Sequence, residues 1–345
     1  MNSSFQVALT GDFFKDGTPV YPDFDLSVIQ GTEGIEVAPF NDHYPEIEPD
    51  QIAGAKAVVV LTPKVSRHSL SRSEDLLVVS RFGVGYDKVD VAACTEADVV
   101  LCTAVGAVDR PVAEATVSWM MALGHNLIAK DRLVREGKWH DRNGFMGSEL
   151  RGRTIGVIGL GGIGQTVVKL LEGFGMNPPI AFDPVLDEGT ASQLGVELVE
   201  LEDLMTRADF VSLHCPLNDD TQDLISEKEL SLMKPTAYIL NTARGGIINE
   251  DALFETLVSK KITGAALDCF VGEPILTPHR FGELENVILA PHSIAWTHEL
   301  FSDIGSLACQ NVVDLAQGRR PRSAVNPEVF ERPTFREKWD RLKIQ

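Results

Sequence analysis

The sequence predicts an α/β protein built from two doubly wound parallel-sheet domains. Three observations carry that expectation. Short apolar runs alternate with helix-type segments along nearly the whole chain, the pattern of parallel sheets covered by helices. A glycine-rich turn, Gly159-Leu160-Gly161-Gly162-Ile163-Gly164, joins one such run to a helix. A long amphipathic stretch, Val112–Lys130, follows Arg110-Pro111 and separates an earlier series of runs from a later one.

In chain order, strands are expected at Phe5–Thr10, Ile35–Phe40, Ala57–Thr62, Leu76–Phe82 and Val99–Val105. A helix over Asp90–Ala97 precedes the last of them, with Asp90 placed to accept N–H bonds at its start. Pro111 suits the first turn of the Val112–Lys130 helix, where its missing N–H costs nothing. The later series opens with a strand at Thr154–Gly159 and a helix at Gln165–Glu172, closed by Gly173 and Gly175. Further strands are expected at Ile180–Phe182, Phe210–Cys215, Ala237–Ala243, Gly264–Phe270 and Asn286–Ala290, and a helix at Asn249–Lys260. A last helix, Thr297–Ala316, returns to the first series, and the Pro-, Arg- and Glu-rich stretch after Arg319 reads as a surface tail. The expected division is a discontinuous substrate domain, 1–107 with 296–345, around a dinucleotide-binding domain, 108–295.

At 345 residues the chain has length for two ordinary domains. Its formal charge of −19 argues against a nucleic-acid partner, whose binders need a basic face. The same charge means that an anionic substrate needs locally placed arginines. No apolar run approaches the roughly 18 residues of a membrane helix. The start, Met1-Asn2-Ser3-Ser4-Phe5-Gln6, lacks the basic and apolar regions of a secretion signal, so a cytoplasmic protein without a membrane partner is expected. Five scattered cysteines without a CxxC pair read as buried reduced thiols, and no metal is expected.

The sharpest local signal is Gly159-x-Gly161-x-x-Gly164. It follows an apolar strand, opens a helix, and has an acidic residue, Asp183, 19 positions after its last glycine. Gly159 permits the tight turn, Gly161 lets a pyrophosphate approach the backbone, and Gly164 lets helix and strand pack closely. The helix N-terminus offers N–H groups and partial positive charge to the phosphates. Asp183 is placed to bond the adenosine ribose and repel an added 2′-phosphate, which favours NAD over NADP. Later, three strand ends each present a reactive side chain: Arg244 in Asn241–Gly246, Glu273 in Asp268–Pro274 and His292 in Ala290–Ser293. Oxidation of a 2-hydroxy acid needs this set. Arg forks onto the carboxylate, His exchanges the hydroxyl proton, and Glu holds the His.

With these residues the chain resembles the D-isomer-specific 2-hydroxyacid dehydrogenases, from about Arg81 to Ala316. The matching elements are Gly83–Asp90, Val112-Ala113-Glu114, Gly159–Gly164, His214–Leu217 with Thr221, Asn241–Gly246, Ala265–Pro274 and Pro291-His292. The resemblance implies a Rossmann NAD-binding domain, a flavodoxin-like substrate domain, and substrate and nicotinamide meeting in a cleft. It implies catalytic roles for Arg244, Glu273 and His292, and a carboxylate-binding turn at Val84-Gly85. It implies cofactor contacts at Ile163, Asp183, Thr242, Ala243 and Asp268, with His214 also expected there. Formate dehydrogenases of the superfamily carry Gln where this chain has Glu273, so formate is not expected. Members are usually dimeric, which places a homodimer interface near Val112–Lys130.

Within the family, Ser80–Gly85 and Gly137–Gly147 are most similar to phosphoglycerate dehydrogenases. After His292, however, the Gly-rich stretch of many members is replaced by Ser293-Ile294-Ala295-Trp296-Thr297. The chain also ends at Gln345, without the regulatory extension of many phosphoglycerate dehydrogenases. Arg81 and Arg142 are read as positive groups for a second anion on the substrate, and Trp296 as a wall beside C3 or its tail. That reading favours a phosphorylated or sugar-derived 2-hydroxy acid over glyoxylate and pyruvate. The alternative is an NAD-sensing corepressor of the same fold, against which the acidic balance stands.

Overall fold

The computed structural model describes residues 4–344. It divides into two compact units, Met1–Val108 with Thr297–Gln345, and Asp109–Trp296. Among the described residues, no helix is long and apolar enough to cross a membrane.

In the first unit, strands β1 (Phe5–Leu9), β4 (Ile35–Pro39), β5 (Ala57–Val60), β6 (Val78–Arg81) and β7 (Val100–Cys102) form a parallel sheet in the order β4-β1-β5-β6-β7. A small antiparallel hairpin of β2 (Phe14–Lys15) and β3 (Thr18–Pro19) lies between β1 and β4 in the chain. The five parallel strands, counted by sequence, stand as 2-1-3-4-5, the flavodoxin-like order. Every residue of β5, Ala-Val-Val-Val, is buried, as expected of a strand covered on both faces. Asp90 caps the helix Val91–Glu96 by accepting from Ala93 N at 2.8 Å. The helix His298–Ala316 lies on this sheet, where Ser80 Oγ donates to Ala308 O at 2.9 Å.

The surface tail expected after Arg319 is instead ordered and packed. Residues Pro327–Glu331 form a short 3-10 turn and Pro333–Leu342 a helix. Val329, Phe330 and Phe335 are buried; an aromatic ring of this kind contributes roughly 2–3 kcal/mol. Lys338 Nζ donates to the carbonyls of Ser73, Ala97 and Asp98 at 2.9–3.3 Å, and burial lowers its pKa to about 8. The many charged residues of this stretch hid the short apolar stripe that decides its fate.

The second unit holds seven parallel strands: β8 (Ile155–Ile158), β9 (Ile180–Phe182), β10 (Glu197–Leu198), β11 (Phe210–Leu213), β12 (Tyr238–Asn241), β13 (Gly264–Leu267) and β14 (Val287–Leu289). Their order, β10-β9-β8-β11-β12-β13-β14, reads 3-2-1-4-5-6-7, the doubly wound order of dinucleotide-binding sheets. Strand β10 has only two residues and shows no sequence pattern of its own.

Two expected elements are redrawn. The Val112–Lys130 stretch is two helices, Asp109–Gly124 and Leu127–Arg135. They break at Asn126, in a left-handed conformation, while Ser148 N donates to Gly124 O at 2.7 Å. The helix after β8 begins at Gly162 rather than Gln165, with Gly161 as its N-cap, so the last glycines of the turn are helical.

Candidate active site

Three loops meet at the C-terminal ends of β12, β13 and β14. The buried Asn241 ends β12 and folds the next turn. Its Oδ1 accepts from Ala243 N at 3.0 Å and its Nδ2 donates to Arg244 O at 2.7 Å. Arg244 Nη1 then donates to Ala243 O at 2.7 Å. At Gly245 a Cβ would run into the backbone of Phe270, so glycine lets the Arg244 loop and the Glu273 loop touch main chain to main chain.

Glu273 Oε1 accepts from Phe270 N at 2.7 Å, and Oε2 lies 2.7 Å from His292 Nδ1. Burial raises the Glu273 pKa, but His292, the Phe270 N–H and the charge of Arg244 outweigh it, so the carboxyl sits below its ordinary value. An ionised carboxylate only accepts hydrogen bonds, so Nδ1–H of His292 donates to it, and Nε2 is left outside that bond.

His292 has φ 53°, a left-handed backbone that costs a non-glycine residue about 1 kcal/mol. Asp268 holds it there. His292 N donates to Asp268 O at 2.8 Å, and Asp268 Oδ1 accepts from Ser293 N at 2.8 Å and Ile294 N at 3.2 Å. Burial raises the Asp268 carboxyl pKa, partly offset by those two amides. The Glu273 loop has a further brace: Glu250 Oε1 accepts from Val271 N at 2.7 Å, and His279 packs on Phe270 with ring centroids 4.9 Å apart.

At the start of the same sheet, the glycine turn has the shape a dinucleotide needs. Gly159 is at φ 89°, and a Cβ there would meet Cys215 N at 2.7 Å. A Cβ at Gly164 would strike Gly159 O, whereas at Gly161 nothing lies within 4 Å, leaving space for a ligand to approach. Gly161 supplies no side-chain cap, so the first amides of the helix Gly162–Leu170 face that space. Asp183 Oδ2 accepts from Leu160 N at 2.8 Å and Oδ1 from Val185 N at 2.9 Å, so its carboxylate also fixes the turn. Ile163 is half-buried beside it.

This unit matches the family described as D-isomer specific 2-hydroxyacid dehydrogenase, NAD binding domain, over residues 117–293. The chain belongs to that family. It is 40% identical over 284 residues to a D-3-phosphoglycerate dehydrogenase of Methanocaldococcus jannaschii, covering 80% of this chain and 53% of that protein. It is 36% identical over 278 residues to a glyoxylate reductase of Korarchaeum cryptofilum, covering 79% and 83%. Among solved structures, a glyoxylate reductase from Paecilomyes thermophila gives a TM-score of 0.80 at 26% identity, covering 94% and 99%. The chain thus spans about half the length of the phosphoglycerate dehydrogenases it matches. As a member of this family it is an NAD-dependent oxidoreductase, and the glycine turn with Asp183 fits the NAD for which its domain is described.

The other residues expected at the cofactor and substrate sites are distributed as follows. Thr242 Oγ1 lies 3.4 Å from Thr116 Oγ1 of the Asp109–Gly124 helix, a partner that no motif marked. Ala243 is held by Asn241 as described. His214 follows β11, with Nε2 2.9 Å from Ser212 Oγ; its Nδ1 is enclosed without a hydrogen-bond partner among the described residues. In the first unit, Arg81 closes β6, and its Nη1 donates to Phe82 O and, at 3.4 Å, to Val60 O. Val84 and Gly85 follow in a half-buried loop. Trp296 is 53% exposed, its N donating to Ser293 O at 3.0 Å. Arg142 lies over the Trp139 ring at 5.4 Å, beside a cavity of about 400 Å³ lined also by Leu133, Phe145 and Met146.

Sequence reasoning missed Cys269, Glu250 and His279. Glu250 looks from the sequence like an ordinary acidic residue in a helix's first turn, and only the fold turns it onto Val271. Cys269 was one of five scattered thiols until β13 delivered it beside Glu273 and His292.

Proposed function

We propose that this protein interconverts a 2-oxo acid and a D-2-hydroxy acid with NAD, using Arg244, Glu273 and His292. The observation that carries the reading is the 2.7 Å bond from His292 Nδ1 to an ionised Glu273, beside Arg244, on loops of the sheet that bears the glycine turn. NAD, when bound, supplies or receives the hydride at C2. Arg244 holds the carboxylate of the acid. In reduction His292 gives its Nε2 proton to the oxygen on C2, and in oxidation it takes that proton back. Glu273 orients the ring and balances its charge throughout. The Val84-Gly85 turn keeps the carboxylate-binding role that the family resemblance implies.

His292→Ala is expected to lower turnover about 10²–10⁴-fold while NADH still binds, followed by NADH fluorescence. Near-normal turnover would remove His292 from the reaction. For the substrate we favour a phosphorylated or sugar-derived acid, on the strength of Arg81 and the 40% identity to a phosphoglycerate dehydrogenase. Specificity constants across short and phosphorylated 2-oxo acids, in wild type and Arg81→Ala, test this. Glyoxylate as the best substrate, or equal losses on short and long acids, would refute it. Turnover of any acid in that panel also decides against the corepressor reading.

A homodimer is part of the proposal. Leu127, Ile128, Val134, Trp139 and Met146 are exposed apolar side chains on neighbouring segments, and a second copy would cover them. Light scattering after gel filtration checks it, and a monomer at micromolar concentration would refute it.

A further inference from the structure

Among the described residues, Cys269, Glu273 and His292 each offer one ligand atom, and these atoms all lie within 4.8 Å of one another. The set joins a sulfur, a carboxylate oxygen and a ring nitrogen. Cys269 and Glu273 follow β13 and His292 follows β14; His292 N donates to Asp268 O at 2.8 Å, and the Glu273 carboxylate accepts from Phe270 N at 2.7 Å. We propose that these three residues form an inhibitory site for a thiophilic divalent cation such as Zn²⁺.

The ion would replace the hydrogen bond between Glu273 and His292. Zinc bonds sulfur at about 2.3 Å and nitrogen or oxygen at about 2.0–2.2 Å, which places tetrahedral ligands roughly 3.3–3.8 Å apart. His292 Nδ1 and Glu273 Oε2, 2.7 Å apart, open to that range, and the wider pairs, within 4.8 Å, close to it. The carboxylate and the thiolate contribute two negative charges, which outweigh the single positive charge of Arg244 nearby. Sulfur and imidazole select zinc over magnesium or calcium, which take oxygen ligands. On binding, the thiol proton is released to solvent, the proton on the His292 nitrogen that takes the ion moves to the other ring nitrogen or is released, and no electron moves. With three protein ligands, the fourth position stays open to water. His292 is half-exposed, which gives the ion its way in, whereas Cys269 is buried and forms the floor.

The consequence rests on the function proposed above. An ion held by Glu273 and His292 takes the pair out of proton transfer, so zinc stops the reaction. It is no resident cofactor, and the reaction as proposed runs without it. The cysteine makes the difference: a Glu–His pair alone offers two ligands, too few for a closed zinc site.

The test separates binding from activity. Chelator-treated wild-type protein is titrated with Co²⁺ and read for the thiolate-to-cobalt absorption band, which Zn²⁺ should then displace. Cys269→Ser and Cys269→Val should show no band. In parallel, Zn²⁺ inhibition of each protein is referred to its own metal-free rate. Loss of the thiol should raise the inhibitory concentration about tenfold or more, since weaker perturbations of metal sites already cost 10–100-fold, and a chelator should restore wild-type turnover. Absence of the band, or equal zinc sensitivity in wild type and Cys269→Val, overturns the inference. A band in a protein that turns over no 2-oxo acid keeps the metal site and defeats the proposed function instead.

Discussion

Lowering the pH from 7.5 to 5 should weaken the 109–296 unit through His214. Burial drives the pKa of this ring down to about 4, and its enclosed Nδ1 has no acceptor to compensate a proton. In the unfolded chain the same ring titrates near 6.5. Between those values the unfolded state binds the extra proton and the folded state does not. Stability is therefore full above the unfolded value and falls as the pH drops towards 4, at up to about 1.4 kcal/mol per pH unit. From pH 7.5 to 5 the loss comes to about 2 kcal/mol, a change of roughly 30-fold in the unfolding equilibrium. Urea unfolding of wild type and His214→Asn at both pH values measures it. Hydrogen exchange pulse labelling of Phe210–Leu213 gives a local readout, because a two-unit chain need not unfold in one step. Losing the Ser212 contact costs the variant equally at both pH values, and the carboxylates contribute equally to both proteins. The difference of differences isolates the ring. If wild type and variant lose the same stability on acidification, the buried neutral His214 is wrong.

Asp183→Ala should narrow the preference for NADH over NADPH, measured as the ratio of specificity constants; comparable efficiency with both in wild type would remove the basis of the NAD assignment. Arg244→Lys keeps the charge but loses the planar fork, so the Michaelis constant for the oxo acid should rise steeply while that for NADH stays. Equal effects on both would place Arg244 outside the substrate site. Asp109 lies against Gly162, at the helix start where phosphates are expected, and burial raises its carboxyl pKa. Removing that charge in Asp109→Asn should tighten NADH about two- to fivefold by fluorescence titration, and weaker binding would contradict it.

The parts of the fold that were legible in the sequence are those set by continuous apolar runs. β9 begins and ends where its sequence says, and the other expected strands are shorter than the runs that mark them, because apolar residues such as Leu76, Leu77 and Phe82 around β6 continue into the flanking loops. The glycine turn and the three strand-end loops were legible because each residue type has a chemical reason to be there. What was hidden depends on distant contacts. β10 is too short to show a period, and its place is given by β9 beside it. The break at Asn126 comes from packing against Ser148, which propensity does not see. The C-terminal helix reads as polar because its apolar stripe is narrow, and Lys338 hides its solvation by three carbonyls of other segments. Cys269 became interesting only when the sheet placed it by the Glu–His pair.

The same C-terminal anchoring bears on the order in which the chain folds as it is made. Asn326 Oδ1 accepts from Leu101 N at 2.8 Å, its Nδ2 donates to Val99 O at 3.0 Å, and Trp339 Nε1 donates to Leu315 O at 2.7 Å. Strand β7 therefore leaves the ribosome more than two hundred residues before the asparagine that secures its edge. Residues 109–296 form an unbroken stretch that is a compact unit by itself. Synthesis runs from the N-terminus, yet the middle of this chain is the part that can close first. The first-unit strands therefore lack the Asn326 contacts until the segment beyond Trp296 has been made.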